Sequence, residues 1–186
     1  MAVPIQLWQF TVRDYDRMLA SGILNDDDRV ELIDGEVREM SPIGELHAST
    51  VDRLTELMVK KVGRRAIVRT QGPIVLNDFT KPQPDLVLLH RQDDFYATRT
   101  PQPDDIFLVV EVSDTTLDYD RLEKTPRYAA AGIAEVWIID VFGQSIEQYS
   151  QPAGGGYRQV ETLQHGQSIR SKSLEQLALE VSDVLG

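Results

Sequence analysis

The chain contains no cysteine among its 186 residues. This absence excludes disulfide bonds, thiolate nucleophiles and zinc sites with cysteine ligands. The sequence also lacks any run near the roughly 18 apolar residues of a membrane-spanning helix, so we expect no membrane contact. Residues 1–10 show no basic start followed by a long apolar core. We therefore expect no signal peptide and, by default, a cytoplasmic location.

Positive charge is scarce. The chain has 19 lysines and arginines and 30 aspartates and glutamates, which gives a formal net charge of −11. Such a chain is poorly suited to non-specific nucleic-acid binding, which needs clustered cations. One cluster departs from this trend, and it contains Lys60, Lys61, Arg64, Arg65 and Arg69. Cations there fit the end of a helix, where they offset the macrodipole, or a patch that contacts phosphate groups.

Length and composition fit one domain, residues 1–186, with a sizeable core. Apolar periodicity predicts helices at residues 11–20, 45–62, 119–131 and 174–179. Strands are predicted at residues 29–33, 36–40, 66–70, 73–76, 85–90, 106–112, 135–141, 145–149 and 157–163. This order predicts an α/β fold of α+β type, with a mixed central β-sheet and a helix packed on each face.

The most informative feature is Glu111, which interrupts an apolar run over residues 106–112. A carboxylate in a buried strand is costly unless it is protonated, paired or bound to a cation. Asp85 opens another apolar run over residues 86–89. If the two strands pair, Asp85, Glu111 and the carbonyl of Val112 could hold Mg²⁺, which takes few carboxylates and keeps several waters. A structural salt bridge is the alternative for Glu111.

The residues Pro84-Asp85 and Glu111-Val112-Ser113 resemble the motif of the PD-(D/E)XK nuclease superfamily. The usual lysine position of that motif holds Ser113 here. The Uma-two family of restriction-endonuclease-like proteins carries a Glu-Val-x-Ser version with its lysine moved to the following helix, and Lys124 matches that position. The other matching pieces are residues 31–37, 40–42, 131–133 and 135–140, with His47, Asp120 and Tyr128. The resemblance covers residues from about 10 to 163.

The resemblance implies a restriction-endonuclease-like core and hydrolysis of phosphodiester bonds with Mg²⁺ or Mn²⁺. Nucleic acid, with DNA as the expected form, is the implied substrate. Asp85 and Glu111 would hold the metal, Lys124 would lie at the scissile phosphate, and Glu31 would be a further acid near the site. His47, Asp120 and Ser113 would support these residues. Cutting two strands suits a two-fold arrangement, so we expect a homodimer.

Simpler roles remain open for several of these residues. Lys124 and Asp120 are spaced i, i+4 and could form a surface helix pair, or Asp120 could begin a capping box. Pro126 would bend a helix that begins at Asp120, or would suit the first turn of one capped by Thr125. Glu31 could be an ordinary strand carboxylate, and His47 an ordinary polar contact. For the whole chain, the alternatives are a silent domain that binds nucleic acid or protein and a hydrolase of small phosphate esters.

Overall fold

The computed structural model describes residues 7–25 and 27–186, so the expectations for residues 1–6 and for Asp26 lie outside it. The helices are α1 (Val12–Ala20), α2 (Glu45–Val62), α3 (Leu117–Tyr119), α4 (Thr125–Ala130) and α5 (Val181–Leu185). The strands are β1 (Val30–Ile33), β2 (Glu36–Glu39), β3 (Ile67–Thr70), β4 (Leu86–Leu89), β5 (Ile106–Ser113), β6 (Glu135–Asp140), β7 (Ser145–Ala153), β8 (Gly156–Gln164), β9 (Ser168–Arg170) and β10 (Ala178–Glu180). None of the helices in these two stretches is long and apolar enough to cross a bilayer.

The central sheet has six strands in the order β3-β4-β5-β6-β7-β8. Strands β5 and β6 run parallel, and the other neighbouring strands run antiparallel. Two small sheets accompany it, one formed by β1 with β2 and one by β9 with β10. Helix α2 packs on one face of the central sheet and α4 on the other. The predicted fold class, a mixed central sheet flanked by helices, is confirmed.

Alternation along β5 decides where Glu111 points. Val110 and Val112 join the apolar cluster that contains Met58 of α2. Val109 joins the cluster on the other face, which contains Tyr128 of α4. Because successive strand side chains point to opposite faces, Glu111 lies on the α4 face. Both faces of β5 are covered, which explains why the strand is apolar at almost every position.

The helical segment between β5 and β6 is not one regular helix. Helix α3 leads into a π-helical turn, Asp120–Lys124, and α4 follows directly. The amide of Thr125 bonds to the carbonyl of Asp120, five residues earlier. Pro126, which has no amide hydrogen, lies in the first turn of α4, where a helix needs no donor. The helix predicted over residues 119–131 is confirmed in its place, although it consists of an α, a π and an α segment, and no capping box forms at Asp120.

Two predicted elements are wrong. Residues 73–76 form no strand of a sheet, because the amides of Ile74 and Leu76 bond back to the carbonyls of Pro82 and Thr80. Residues 174–179 form no helix, because Gln176 has a φ of +67° and the chain then enters β10. The apolar side chains of this stretch resemble a helical stripe, yet they pack on the α2 side of the sheet from a turn and a strand. The last helix, α5, begins only at Val181.

Glu135, at the start of β6, is a fully buried carboxylate that ties the C-terminal turn to the sheet. Its six hydrogen-bond donors are the side chains of Trp137, Gln148, Ser171 and Ser173 and the amides of Lys172 and Ser173. Full pairing of this kind offsets the cost of burying the charge. Glu135 therefore acts as a structural acid, in contrast to Glu111.

Replacing Glu135 with alanine is expected to lower the free energy of unfolding by about 3 kcal/mol, because its donors would be buried without an acceptor. Urea denaturation followed by circular dichroism measures the change. Glu161→Ala, which removes an exposed acid of β8, is the control and should leave stability nearly unchanged. Equal, small effects of both substitutions would contradict the anchoring role.

Candidate active site

A cavity of about 320 Å³ opens where the end of β5, the β1–β2 hairpin, the start of α2 and the α3–π segment meet. Its walls contain all the predicted acids and the predicted lysine. The site residues among its lining are Glu31, His47, Asp85, Glu111, Val112, Asp120 and Lys124. Residues from five separate parts of the chain thus converge on one cavity.

Glu111 forms the buried floor of the site, with 2% of its surface exposed. Its Oε1 accepts hydrogen bonds from the hydroxyl of Tyr128 and from Nζ of Lys124, the latter at 3.2 Å. Burial raises the pKa of Glu111 well above its usual value. The charge of Lys124 opposes this rise in pKa, while the charges of Asp120 and Asp85 add to it.

Lys124 is buried among three carboxylates. Its Nζ lies 3.2 Å from Glu111, 3.5 Å from Glu31 and 4.0 Å from Asp120. Burial alone would lower the pKa of Lys124, but the surrounding carboxylates, Glu111 first, outweigh it and raise the pKa. The lysine is therefore charged throughout the physiological range, while one ammonium group is too little to neutralise three acids. The alternative of a surface helix pair with Asp120 is wrong, because both side chains are buried.

Asp120 and Glu31 hold the ammonium group from two sides. Oδ2 of Asp120 accepts hydrogen bonds from Ser113 at 2.7 Å and Thr116 at 2.8 Å, and burial raises the pKa of Asp120. Oε1 of Glu31 accepts from the hydroxyl of Tyr119 at 3.0 Å, and its Oε2 accepts from a main-chain amide at 3.1 Å. The acids are thus fixed in place before any ligand binds.

Asp85 directly precedes β4. The antiparallel register pairs Leu86 with Val110, and one further step places Asp85 opposite Glu111 on the neighbouring strand. Directly opposed residues have their Cβ atoms about 5 Å apart. Oδ2 of Asp85 accepts a hydrogen bond from the amide of Val112 at 2.8 Å. The two acids of the predicted pair therefore lie side by side.

His47, in the first turn of α2, contacts Asp85. Its Nε2 lies 3.1 Å from Oδ1 of Asp85, and this hydrogen bond raises the pKa of His47 while burial opposes the rise. His47 thus makes a polar contact with Asp85, and its supporting role at the site stays a prediction.

The donor atoms suit a hard cation better than a soft one. Within residues 7–25 and 27–186, no group of three His, Cys, Asp or Glu side chains is placed to hold a metal ion. Two neighbouring carboxylates are nevertheless what Mg²⁺ ordinarily takes from a protein, the remaining ligands being water and carbonyl oxygen. Six acids line the cavity against three lysine or arginine side chains, so a divalent cation would offset an excess of negative charge.

The basic cluster at the other end of α2 does not line the cavity. Lys60 pairs with Glu56, one turn away on the helix. Arg65 donates to main-chain carbonyls, and Arg69 donates to the carbonyl of Phe95 at 2.9 Å. Lys60 is about 20 Å along the helix axis from His47. Contact of Lys60, Lys61, Arg64, Arg65 and Arg69 with nucleic acid stays a prediction.

Two hydroxyl groups that hold the acids were not predicted from the sequence. Tyr119 binds Glu31, and Thr116 binds Asp120. Both residues precede Asp120 by one helical turn or less. Their closeness in sequence to that acid was the only feature that could have indicated them. Tyr128, which the sequence indicates only as a residue matching the family, is fully buried and its hydroxyl donates to Glu111.

Comparison with known proteins identifies the class. A family model, Uma2, described as "Putative restriction endonuclease", matches residues 12–182, and the chain belongs to this family. The chain is also similar in structure to a crystal structure from Anabaena variabilis, described as a "putative nuclease belonging to DUF820". That similarity has a TM-score of 0.74 and covers 95% of this chain and 97% of the other, at 14% identity. None of the curated proteins compared with the chain matches it.

Proposed function

We propose that this restriction-endonuclease-like protein is a metal-dependent endonuclease that hydrolyses phosphodiester bonds of nucleic acid, with DNA as the expected substrate. Asp85 and Glu111 would hold Mg²⁺, helped by the carbonyl of Val112, and Lys124 would lie at the scissile phosphate. The observation that supports this most is the pairing of two side-by-side acids with a charged lysine at the floor of one cavity. A bound Mg²⁺ would polarise a phosphoryl oxygen and lower the pKa of a water ligand.

The protein's own groups have separable roles in this proposal. Lys124 stabilises negative charge that develops on the phosphate, because the surrounding carboxylates, Glu111 first and then Glu31 and Asp120, keep its ammonium group charged. The amide of Val112 and the ring of His47 orient Asp85. Preorganised groups of this kind need little rearrangement during the reaction.

Nicking of supercoiled plasmid DNA tests the proposal. The wild-type protein should convert plasmid to the open-circular form in magnesium buffer and should not do so when EDTA replaces magnesium. Asp85→Asn should be inactive in both buffers. Cleavage that persists in EDTA, or that is equal in Asp85→Asn, would contradict the proposed chemistry.

Replacing Tyr128 with phenylalanine is expected to shift the acid limb of the pH–rate profile to higher pH. The hydroxyl of Tyr128 donates to Glu111 and favours the ionised carboxylate, so its loss raises the pKa of Glu111 further. At neutral pH the cleavage rate should fall by about tenfold, and it should recover at higher pH. Tyr157→Phe, which removes a hydroxyl bonded to the carbonyl of Ile133, is the control and should leave the profile unchanged. An unshifted profile in Tyr128→Phe would argue against the assigned role.

A second candidate is hydrolysis of small phosphate esters. The cavity volume of about 320 Å³ is at the small end of the range for ligand pockets, and the net charge of −11 would repel a long polyanion. Release of phosphate from a mononucleotide without plasmid nicking would favour this candidate. A catalytically silent binding domain would show neither activity.

The expected homodimer and the single domain over residues 1–186 belong to the same proposal. Sedimentation of the purified protein tests the first, and a monomer at micromolar concentration would count against it. Limited proteolysis tests the second, since a stable internal fragment would indicate a domain boundary.

A further inference from the structure

Two buried side-chain nitrogens in the described parts of the chain have no hydrogen-bond partner, and both belong to the walls of the same cavity. They are Nε of Arg29 and Nδ1 of His47. The charge of Arg29 influences the pKa of His47, so the two groups lie near each other. Buried polar atoms are almost always paired, and each exception calls for a physical reason. Two exceptions among the residues that line one cavity make this part of the cavity a candidate place for a ligand.

The cations that line the cavity also differ in whether they have a carboxylate partner. Three lysine or arginine side chains line the cavity, namely Arg29, Arg38 and Lys124. Arg38 is paired with Glu36 and Glu123, and Lys124 with its three carboxylates. Among the residues that the structure describes, no carboxylate oxygen lies within 4.0 Å of the Arg29 guanidinium, and no side-chain hydrogen bond from it is formed. Within residues 7–25 and 27–186, Arg29 is thus the lysine or arginine of this cavity that has no carboxylate partner.

The backbone holds Arg29 firmly in that place. Arg29 directly precedes β1, and its carbonyl accepts a hydrogen bond from the amide of Met40 at 2.7 Å, which closes the β1–β2 hairpin. A smaller adjoining cavity of about 90 Å³ is also lined by Arg29 and Asp85. Arg29 therefore borders two spaces that a ligand could fill, and Asp85 lines both of them.

We propose that Arg29 is a substrate-binding residue whose guanidinium binds a phosphate oxygen in this cavity. The inference deepens the proposed function, on which it rests, by naming the group that recognises the substrate's phosphate. A guanidinium presents several N–H donors in a fixed plane that matches the geometry of phosphate oxygens. Its Nε–H can only donate, so it needs an acceptor such as a phosphate oxygen. Nδ1 of His47 then meets a further polar atom of the same ligand or its water. Lys124, held by carboxylates, remains at the bond that is cut.

Binding of inorganic phosphate, measured by calorimetry in magnesium buffer, tests the inference. Arg29→Gln keeps the length and removes the charge, and it should weaken phosphate binding by about tenfold to a hundredfold. Arg29→Lys keeps the charge without the planar fork and should give an intermediate affinity. Arg158→Gln removes an exposed arginine of β8 and is the matched control, which should bind phosphate as the wild type does.

Every result of the phosphate-binding measurements either supports or overturns the inference. Affinity in Arg29→Gln equal to that of the wild type would overturn it, as would a wild-type protein that binds no phosphate. If Arg29→Gln fails to fold, Arg29→Lys decides alone, and an unchanged affinity would overturn the inference. Plasmid nicking is scored in parallel. Phosphate binding that depends on Arg29 in a protein without nicking supports the subsite and contradicts the nuclease, whereas nicking with no dependence on Arg29 does the reverse.

Discussion

Replacing Glu111 with glutamine is expected to reduce plasmid cleavage by about a thousandfold or more while raising the melting temperature by a few degrees. Cleavage is lost because the amide cannot serve as an anionic metal ligand. Stability rises because burial places the pKa of Glu111 well above its usual value, so the ionised form at neutral pH costs free energy that glutamine does not. Glutamine keeps the shape and can still accept from Tyr128 and Lys124.

Scanning calorimetry and the nicking assay together separate two roles of Glu111. Glu39→Gln, which neutralises an exposed acid lining the same cavity, is the matched control and should change neither quantity by much. If Glu111 serves mainly as a salt-bridge partner of Lys124, the substitution should instead lower the melting temperature sharply, because it would break a buried pair. A destabilised but active Glu111→Gln protein would contradict the account.

Replacing Lys124 with methionine is expected to reduce cleavage by about a hundredfold or more and to lower the free energy of unfolding at pH 7 by about 3–5 kcal/mol. Cleavage falls because developing negative charge loses its nearest cation. Stability falls because Glu111, Glu31 and Asp120 would be left close together in a buried site without their shared counter-charge.

The loss of stability in Lys124→Met is expected to increase as the pH rises. Without the ammonium group, the pKa values of the buried acids rise further, since Lys124 lowers the pKa of both Glu111 and Asp120 in the intact protein. Acids with a raised folded-state pKa stabilise the fold at low pH and lose that contribution as pH rises. The deficit of Lys124→Met should therefore be small below pH 4.5, the ordinary pKa of glutamate, and grow toward neutral pH.

Urea denaturation at several pH values measures this deficit. Lys60→Met, which removes an exposed lysine of α2, is the control and should show no comparable change with pH. A constant deficit at all pH values would indicate that Lys124→Met acts through packing rather than through charge.

The main features of the fold and the acid pair could be predicted because they follow from local patterns. The apolar run of β5 required a buried strand, and a carboxylate within that run marked Glu111 as a candidate site residue. Asp85 could be paired with it because Asp85 opens one apolar run and Glu111 lies within the next, and consecutive strands are often neighbours in a sheet. The stretches at residues 73–76 and 174–179 could not be predicted, because their side chains are buried by contacts with distant parts of the chain.

The environment of Lys124 could not be predicted from local sequence patterns either. A lysine four residues after an aspartate has the same spacing in an exposed helix as in this buried one. Lys124 is buried here because it lies in the π turn next to Pro126 and because Glu31, on a hairpin far earlier in the chain, packs against it. Glu31 was expected near the site only from the family resemblance, because its place in a strand equally suits an ordinary strand carboxylate. Arg29 was not predicted at all, since the absence of a partner is a property of the folded state.

Stoichiometric binding of Mn²⁺, followed by electron paramagnetic resonance, tests most directly whether Asp85 and Glu111 share one divalent cation. The account predicts saturable binding near one ion per chain in the wild type, competition by Mg²⁺, and loss of binding in Asp85→Asn and in Glu111→Gln taken singly. Glu39→Gln should bind as the wild type does. Unchanged Mn²⁺ binding in either acid variant, or no saturable binding by the wild type, would contradict a shared metal site.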